Sequence, residues 1–319
     1  MNRSKLFHYF KLLISVVLFG AVIYFVIRDG QSLSLIKNFS VLPAVLLLVV
    51  HAANYYFLGN AYNFPLAKHG VTLTFSEWYG LTVVTNLLNL ILPAKTGNSI
   101  RLLYLNEKKR LSFHDFAQLN IAVAALALST LSGFGVCYFV LFSKSALLNK
   151  AILTGILSVI FLLTTTYLVF PSFINRFLPK SIPAQPRLYF STRKEFFTIA
   201  GNLLLVKALY PLKLYLAFQV LQYPISILDT YEISLVVLLI SLVPILPGNI
   251  GIKEFSTAFM AQSFNINLEV AMLVAVVERL SYFTFLIPTG TYFYATLFGK
   301  DLLSFQKLGK NSRISSDAP

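Results

Sequence analysis

The feature that most constrains the fold of this chain is a series of uninterrupted apolar segments, each about 16 to 30 residues long. A helix rises about 1.5 Å per residue, so a segment of this length can cross the hydrocarbon core of a bilayer. The segments are apolar on every side, whereas a helix that covers a soluble core carries one apolar stripe. Only 12% of the residues are charged, which is about half the usual share in a soluble domain. The sequence therefore predicts an all-α polytopic membrane protein.

These segments form one predicted transmembrane domain over residues 1–300, followed by a basic tail over residues 301–319 that we expect to be disordered. The segments lie at about 11–27, 41–58, 76–92, 116–142, 151–170, 196–220, 231–246 and 268–298. A shorter helix is predicted at about 252–263. Segment 11–27 follows basic residues, as in a signal peptide, but no small-residue cleavage site follows it. We therefore expect an uncleaved first transmembrane helix.

Basic residues concentrate in particular connections between the apolar segments. The net charge is +14, residues 95–110 and 176–194 carry five Lys or Arg each, and residues 221–230 carry none. Cytoplasmic connections are rich in Lys and Arg. We therefore expect the two basic connections and both termini on the cytoplasmic side of the plasma (bacterial inner) membrane. Nucleic-acid binding is disfavoured, because no soluble module carries the charge.

Simple alternation of the segments across the membrane conflicts with this charge pattern, because it places residues 95–110 outside. The conflict disappears if segment 76–92 enters from the cytoplasm, breaks, and returns as a helix over 98–110. Region 231–263 would dip in from the outside in the same way. The prediction is then about six full transmembrane helices and two broken re-entrant helical hairpins.

Both breaks share the pattern I-L-P-x-x-x-G, at residues 91–97 and 245–251. Pro removes a backbone donor, and Gly permits the left-handed conformation that a sharp return needs. The break residues are Pro93, Gly97, Pro247, Gly248 and Gly251. We expect Asn98 and Asn249 to cap the returning helices, whose N-terminal N–H groups can bind an anion.

The two hairpins lie at matching places in two longer units. Repeat 1 covers about residues 41–142 and repeat 2 covers about residues 196–298. The charge pattern makes the two units run in opposite directions through the membrane. Inverted repeats with broken helices predict a transport site at the repeat interface.

Ionisable residues within the predicted helices are costly in a membrane and therefore mark a candidate site. They are Lys95, Arg101, Lys207, Lys253, Glu254, Glu278 and Arg279. Together with Asn98 and Asn249, they predict a net-cationic cavity that suits an anionic headgroup. The alternative is a set of structural ion pairs between helices, with Lys95 reaching out to the lipid headgroups.

The sequence also predicts the surroundings of several neighbouring polar residues. Glu278 and Arg279 are adjacent, so we expect each to find a partner on another helix. Lys213 lies six residues after Lys207 and is expected to point elsewhere and reach outward. His51 is expected to be a buried histidine with a hydrogen-bond partner in the helix bundle.

Catalytic motifs are not found in the sequence. Cys137 is the single cysteine, so no intrachain disulfide can form. The four histidines are not at metal-ligand spacing, and the signatures of serine hydrolases, P-loop proteins and zinc proteases do not occur. We therefore predict no catalytic residue, no metal, no cofactor and no enzymatic activity.

Three segments resemble the motifs of one membrane-protein family. Residues 92–101 read L-P-A-K-T-G-N-S-I-R and resemble the family segment L-P-x-R-x-G-E-x-x-R. Residues 246–254 read L-P-G-N-I-G-I-K-E and resemble a second signature, roughly P-G-G-I-G-x-R-E. Residues 271–280 resemble a later helix with a buried Arg. The family is the lysylphosphatidylglycerol synthase transmembrane-region family, which includes the flippase-like half of the multiple peptide resistance factor. The resemblance covers about residues 8–300.

The resemblance implies that the chain moves an aminoacylated phospholipid or a glycolipid between leaflets, with a membrane lipid as its substrate. The sequence departs from the family pattern at Lys95 (usually Arg), Asn98 (usually Glu) and Asn249 (usually Gly). The family's aminoacyl-transferring domain is separate and C-terminal, so we do not expect the synthase activity here. Two alternatives stay open: a membrane-embedded transferase acting on lipid-linked sugar, and a scaffold that recruits a separate synthase or glycosyltransferase as its partner.

Overall fold

The computed structural model describes residues 30–91, 97–143, 147–170, 192–241 and 249–299, together with positions 20, 24 and 28. Within these ranges the chain is helical and contains no β-strand. The helices are α1 (Gly30–Lys37), α2 (Val41–Leu66), α3 (Phe75–Ile91), α4 (Gly97–Lys109), α5 (Phe113–Leu141), α6 (Leu147–Val169), α7 (Arg193–Val220), α8 (Ile227–Ser241), α9 (Ile252–Gln262) and α10 (Leu268–Phe298). A 3-10 turn over Ala67–His69 extends α2.

Five of the described helices, α2, α5, α6, α7 and α10, are long and apolar enough to cross a membrane. The predicted all-α membrane protein is therefore confirmed. Apart from positions 20 and 24, the predicted first span at 11–27 lies outside the described residues. The basic tail at 301–319 and most of the connection at 176–194 also lie outside them. Helices α3 and α8 are shorter, with 17 and 15 residues.

Capping residues explain why several helices begin earlier than their apolar segments. Helices α3, α5, α7 and α8 each follow a Ser or Thr whose hydroxyl accepts a hydrogen bond from the N–H of an acidic residue three positions later. The pairs are Thr74 with Glu77, Ser112 with Asp115, Thr192 with Glu195, and Ser226 with Asp229. Polar first turns belong to the helix in each case, so hydropathy alone sets the boundary too late.

Several helix termini lie together at one end of the helix bundle, which is called here the basic end. Lys68 Nζ at the end of α2 lies 2.5 Å from the Glu195 carboxylate at the start of α7. Lys109 Nζ at the end of α4 lies 2.9 Å from Glu77 at the start of α3. Phe298 at the end of α10 packs against Tyr104 of α4, with ring centroids 5.5 Å apart. The start of α3 and the end of α4 therefore lie side by side.

Several other helix termini lie together at the opposite end, called the far end. The Ser40 N–H before α2 donates to the carbonyl oxygen of Val220, which ends α7, at 2.8 Å. The Tyr138 hydroxyl near the end of α5 donates to the Leu228 carbonyl oxygen in the first turn of α8, at 2.7 Å. Ile266, just after α9, is buried in the same cluster as residues at the end of α7. Helices α2 and α10 thus run towards the basic end, and α5 and α7 run away from it.

Helices α2 and α7 form the centre of the bundle and pack against each other along their lengths. Helix α10 contacts both of them, and α3 packs against α10. Helix α6 lies at the periphery against α5. In chain order, α2 to α5 form one group of four helices and α7 to α10 form another.

The glycines at the two breaks differ in what they do. Gly251 has φ of 85°, in the left-handed region, as predicted for a sharp return. Gly97 has no such backbone angle; it permits close contact between α4 and α3 instead. Its N–H donates to Asn89 Oδ1 at 2.8 Å, and a Cβ at this position would overlap the Thr85 carbonyl oxygen. The sequence predicted the right glycine for the wrong reason.

Gly97→Ala is expected to destabilise the protein by about 1–3 kcal/mol, because α3 and α4 must separate to admit the methyl group. Gly155→Ala is the matched control: Gly155 lies on the exposed side of α6, and nothing lies within 4 Å of an added Cβ. Thermal unfolding in detergent measures both. Equal thermal unfolding midpoints for the two variants would contradict the close contact between α3 and α4.

Candidate functional site: two cavities in the helix bundle

A small cavity lies among the four helices α7 to α10, and we call it the distal cavity. Each of the four helices contributes to its wall. The described lining residues are Tyr210, Leu214, Ser234, Val237, Lys253, Glu254, Thr257, Ala275 and Glu278. The wall combines apolar side chains with hydroxyl and charged groups, which is the composition of a site that orients a polar group in an apolar setting.

A buried ion pair connects two of these helices. Arg279 Nε of α10 donates to Glu254 Oε1 of α9 at 2.6 Å, and the two side chains are 4% and 1% exposed. The other Glu254 oxygen accepts the Gly251 N–H at 2.7 Å. The expectation that Arg279 pairs on another helix is therefore confirmed. Glu254 both neutralises Arg279 and fixes the start of α9.

Two lysines on different helices lie close to the Tyr210 ring of α7. Lys213 Nζ lies 4.9 Å from the ring centroid, and Lys253 Nζ of α9 lies 5.7 Å from it. Lys213 is 6% exposed, so the expectation that it reaches outward was wrong. It lies three residues after Tyr210, on the same helix face, and that face is buried. Lys207 is half-buried and does not belong to the described lining of the cavity.

Glu278 is half-buried and faces the distal cavity one position before Arg279. In the described part of the chain, no cation lies within salt-bridge distance of its carboxylate. The Ser234 hydroxyl, which also lines the cavity, is buried without a hydrogen-bond partner among the described residues. Both groups are therefore available to a polar ligand.

A second small cavity lies among the helices α2 to α5, nearer the basic end, and we call it the proximal cavity. Its described lining is Gly59, Tyr62, Asn63, Leu66, Leu73, Trp78, Leu81, Thr82, Arg101, Leu105, Phe116 and Leu119. Arg101 is 6% exposed. Its Nη2 donates to Thr82 Oγ1 at 2.7 Å, and its guanidinium lies 4.6 Å from the centroid of the Tyr62 ring.

No carboxylate in the described ranges pairs with Arg101. A buried cation without an acid is costly, so an anion bound beside it would stabilise it. The sequence predicted one cationic cavity that holds Arg101 together with Lys253 and Arg279. The described residues instead form two cavities, with Arg101 in one and the other two cations beside the second.

The predicted asparagine caps were both wrong. Asn98 is the second residue of α4, and the N–H before it is held by Asn89 from the opposite helix of the hairpin. Asn249 lies before Gly251 in a left-handed conformation, with φ of 49°, and its Nδ2 donates to the Ser241 carbonyl oxygen at 3.3 Å. Four further predicted residues, Lys95, Pro93, Pro247 and Gly248, lie outside the described residues.

His51 is a bundle histidine with a partner, as predicted. It is 1% exposed, and its Nε2 lies 3.1 Å from the Ser281 hydroxyl oxygen. Sequence reasoning missed Tyr62 and Thr82, the partners of Arg101. Polar residues inside an apolar segment are the only signal that could have found them, and Thr and Tyr are too common there to stand out.

A comparison with protein-family models identifies the family that this chain matches. The family model described as "Lysylphosphatidylglycerol synthase TM region" matches residues 12–290. None of the curated proteins matches the chain. The matched range includes all the described residues that line the two cavities.

Proposed function

Because this chain belongs to the lysylphosphatidylglycerol synthase TM region family, and so to multi-pass membrane proteins related to lipid handling, we propose that it moves a lipid with an anionic headgroup between leaflets. The observation that carries this proposal is the distal cavity, where Lys253, the Lys213 side chain and the Arg279–Glu254 pair meet inside an apolar bundle. The headgroup would enter this cavity while the acyl chains stay in the lipid.

We further propose that the two four-helix groups are inverted repeats, each with a re-entrant hairpin. Both groups follow the order long, short, short, long: α2 to α5 have 26, 17, 13 and 29 residues, and α7 to α10 have 28, 15, 11 and 31. The first long helices, α2 and α7, run in opposite directions. The contact between Glu77 and Lys109 supports a first hairpin that enters and leaves at the basic end.

A matched pair of contacts also supports the proposal that the two four-helix groups are inverted repeats. In each group, a cation on the second short helix lies over a tyrosine ring on the first long helix. The pairs are Arg101 with Tyr62 and Lys253 with Tyr210. One cavity per repeat, displaced towards opposite membrane faces, gives a headgroup a binding position on each side of the midplane. The basic end would lie at the cytoplasmic face of the plasma membrane, in accordance with the positive-inside pattern.

Lys253→Gln is expected to slow transbilayer lipid movement at least about tenfold, because it removes a charge-assisted hydrogen bond to the headgroup. The measurement uses proteoliposomes with fluorescent phosphatidylglycerol labelled on one acyl chain, with quenching of the outer leaflet. Lys150→Gln is the control: Lys150 lies in the first turn of α6 at the periphery, outside the described lining of both cavities. Equal rates for both variants and the unsubstituted protein would overturn the headgroup site.

A further inference from the structure

A buried carboxyl group lies where the two four-helix groups meet at the far end. Glu232 of α8 is 1% exposed. Its hydrogen-bond partner comes from the other group: the Ser143 hydroxyl, just after α5, donates to Glu232 Oε2 at 3.0 Å. The Tyr138 hydroxyl of α5 lies beside the same carboxyl group. Glu232 therefore lies on the α5 side of α8, whereas Ser234 of the same helix lines the distal cavity.

The charges around Glu232 do not balance a carboxylate. Among the described residues, no cation lies within salt-bridge distance of it. Two groups of opposite charge face it from further away, Asp229 one turn earlier on α8 and Lys150 of α6. The Lys150 ammonium donates to the Val140 carbonyl oxygen instead, at 3.3 Å. A buried carboxylate in this setting is more costly than the neutral carboxylic acid.

The hydrogen bond of Tyr138 also favours a protonated Glu232. The Tyr138 hydroxyl has one proton and donates it to the Leu228 carbonyl oxygen at 2.7 Å. Towards Glu232 the phenolic oxygen can therefore only accept. An ionised carboxylate would place two acceptors against each other, whereas a carboxylic acid can donate its proton to the Tyr138 oxygen.

These groups form a joint between α5 and α8, made by Tyr138, Ser143, Leu228, Tyr231 and Glu232. The Tyr138 and Tyr231 rings close it, with centroids 4.4 Å apart. We infer that Glu232 is a proton-binding site that controls this joint: the joint is closed while Glu232 holds a proton, and it opens at the far end when the proton leaves to the water there. The inference rests on the proposed lipid movement and adds the proton as a second ligand that regulates it.

Opening follows from proton release because the carboxylate left behind must reach water. Glu232 is the sixth residue of α8, so the far end of that helix is only about 8 Å away along its axis. Movement of α8 away from α5 also moves Ser234 in the wall of the distal cavity. Since the closed joint binds the proton more tightly than the open one, a lower pH must favour the closed joint.

The first measurement follows the joint itself. In a Cys137→Ser background, spin labels at Leu141→Cys and Ile227→Cys, both exposed positions, report the distance across the joint in proteoliposomes. The distance is expected to lengthen as the pH on the far-end side rises. Glu232→Gln should keep the short distance at every pH, because its amide N–H can donate to Tyr138 as the acid does. Asp229→Asn, a half-buried acid on the same helix, is the control and should keep the pH dependence.

A second variant tests the site without removing the carboxyl group. Ser143→Ala deletes the hydroxyl that donates to the Glu232 carboxylate, and this donor stabilises the ionised form. The midpoint of the distance change should therefore move to higher pH. A midpoint equal to that of the unsubstituted protein would overturn Glu232 as the proton site.

Lipid movement, measured on the same vesicles with labelled phosphatidylglycerol, separates this inference from the proposed function. It should slow as the pH falls, and at least about tenfold in Glu232→Gln at the pH where the unsubstituted protein is open. A distance that does not change with pH, or one that still changes in Glu232→Gln, overturns the proton site even if lipid moves. A distance that changes as expected without any lipid movement overturns the proposed function and leaves the proton site standing. Lipid movement at one rate over the whole pH range overturns the regulation.

Discussion

Arg279→Met is expected to lower the free energy of unfolding by about 3–5 kcal/mol, because it leaves the Glu254 carboxylate buried without its cation. Glu254 is 1% exposed and cannot recover the lost interaction from water. The loss also loosens α10 from the start of α9, since the ion pair joins them. Denaturant-induced unfolding in detergent micelles measures the change, with Arg193→Met, an exposed cation in the first turn of α7, as the control.

The double variant Glu254→Gln with Arg279→Met shows whether the loss of stability comes from the unpaired charge or from the changed shape of the side chain. It removes both charges, and the amide oxygen of the introduced glutamine would still accept the Gly251 N–H that Glu254 accepts now. We expect the double variant to recover most of the stability lost in the single variant. A double variant as unstable as the single one would show that the ion pair is not the source of the loss.

Arg101→Met is expected to have the opposite effect on stability and to slow lipid movement. The variant removes a buried cation that no described carboxylate balances, so stability should rise by about 1 kcal/mol or more. The Thr82 hydroxyl keeps its hydrogen bond to the Trp78 carbonyl oxygen. Lipid movement should fall at least about tenfold, because the proximal cavity loses its only described charge.

Arg101→Lys is the matched control, since it retains the charge in the same cavity and should not gain stability. The unfolding midpoint and the lipid movement rate are measured on the same preparations. If Arg101→Met lost as much stability as Arg279→Met, Arg101 would have to be part of a structural ion pair, and the proximal cavity would not be an anion site.

Much of this architecture could be predicted from hydropathy and charge. Segment 268–298 matches α10 residue for residue, because both its ends are set by a sharp change in polarity. The starts of α5 and α8 were placed three to four residues late. Their first turns are polar, and the Ser-x-x-Asp patterns at Ser112 and Ser226 mark them. This local signal marks helix starts that hydropathy alone places too late.

The candidate site was less predictable, because its geometry depends on contacts between helices distant in sequence. Burial of Arg279 and Glu254 followed from their position in apolar helices, but their pairing joins residues that are 25 positions apart. The separation of Arg101 from Lys253 depends on which four helices enclose each cavity. Likewise, Asn89 satisfies the Gly97 N–H from the facing helix, which no local capping rule can anticipate.

Site-directed cysteine labelling tests the opposed hairpins most directly. In a Cys137→Ser background, single cysteines replace Ser76 and Lys108 at the two ends of the first hairpin, and Ser226 and Ser263 at those of the second; all four positions are exposed. An impermeant maleimide should label the first pair only from the cytoplasmic side and the second pair only from outside. Labelling of the two ends of either hairpin from opposite sides would show that it crosses the membrane, and would contradict the inverted repeat.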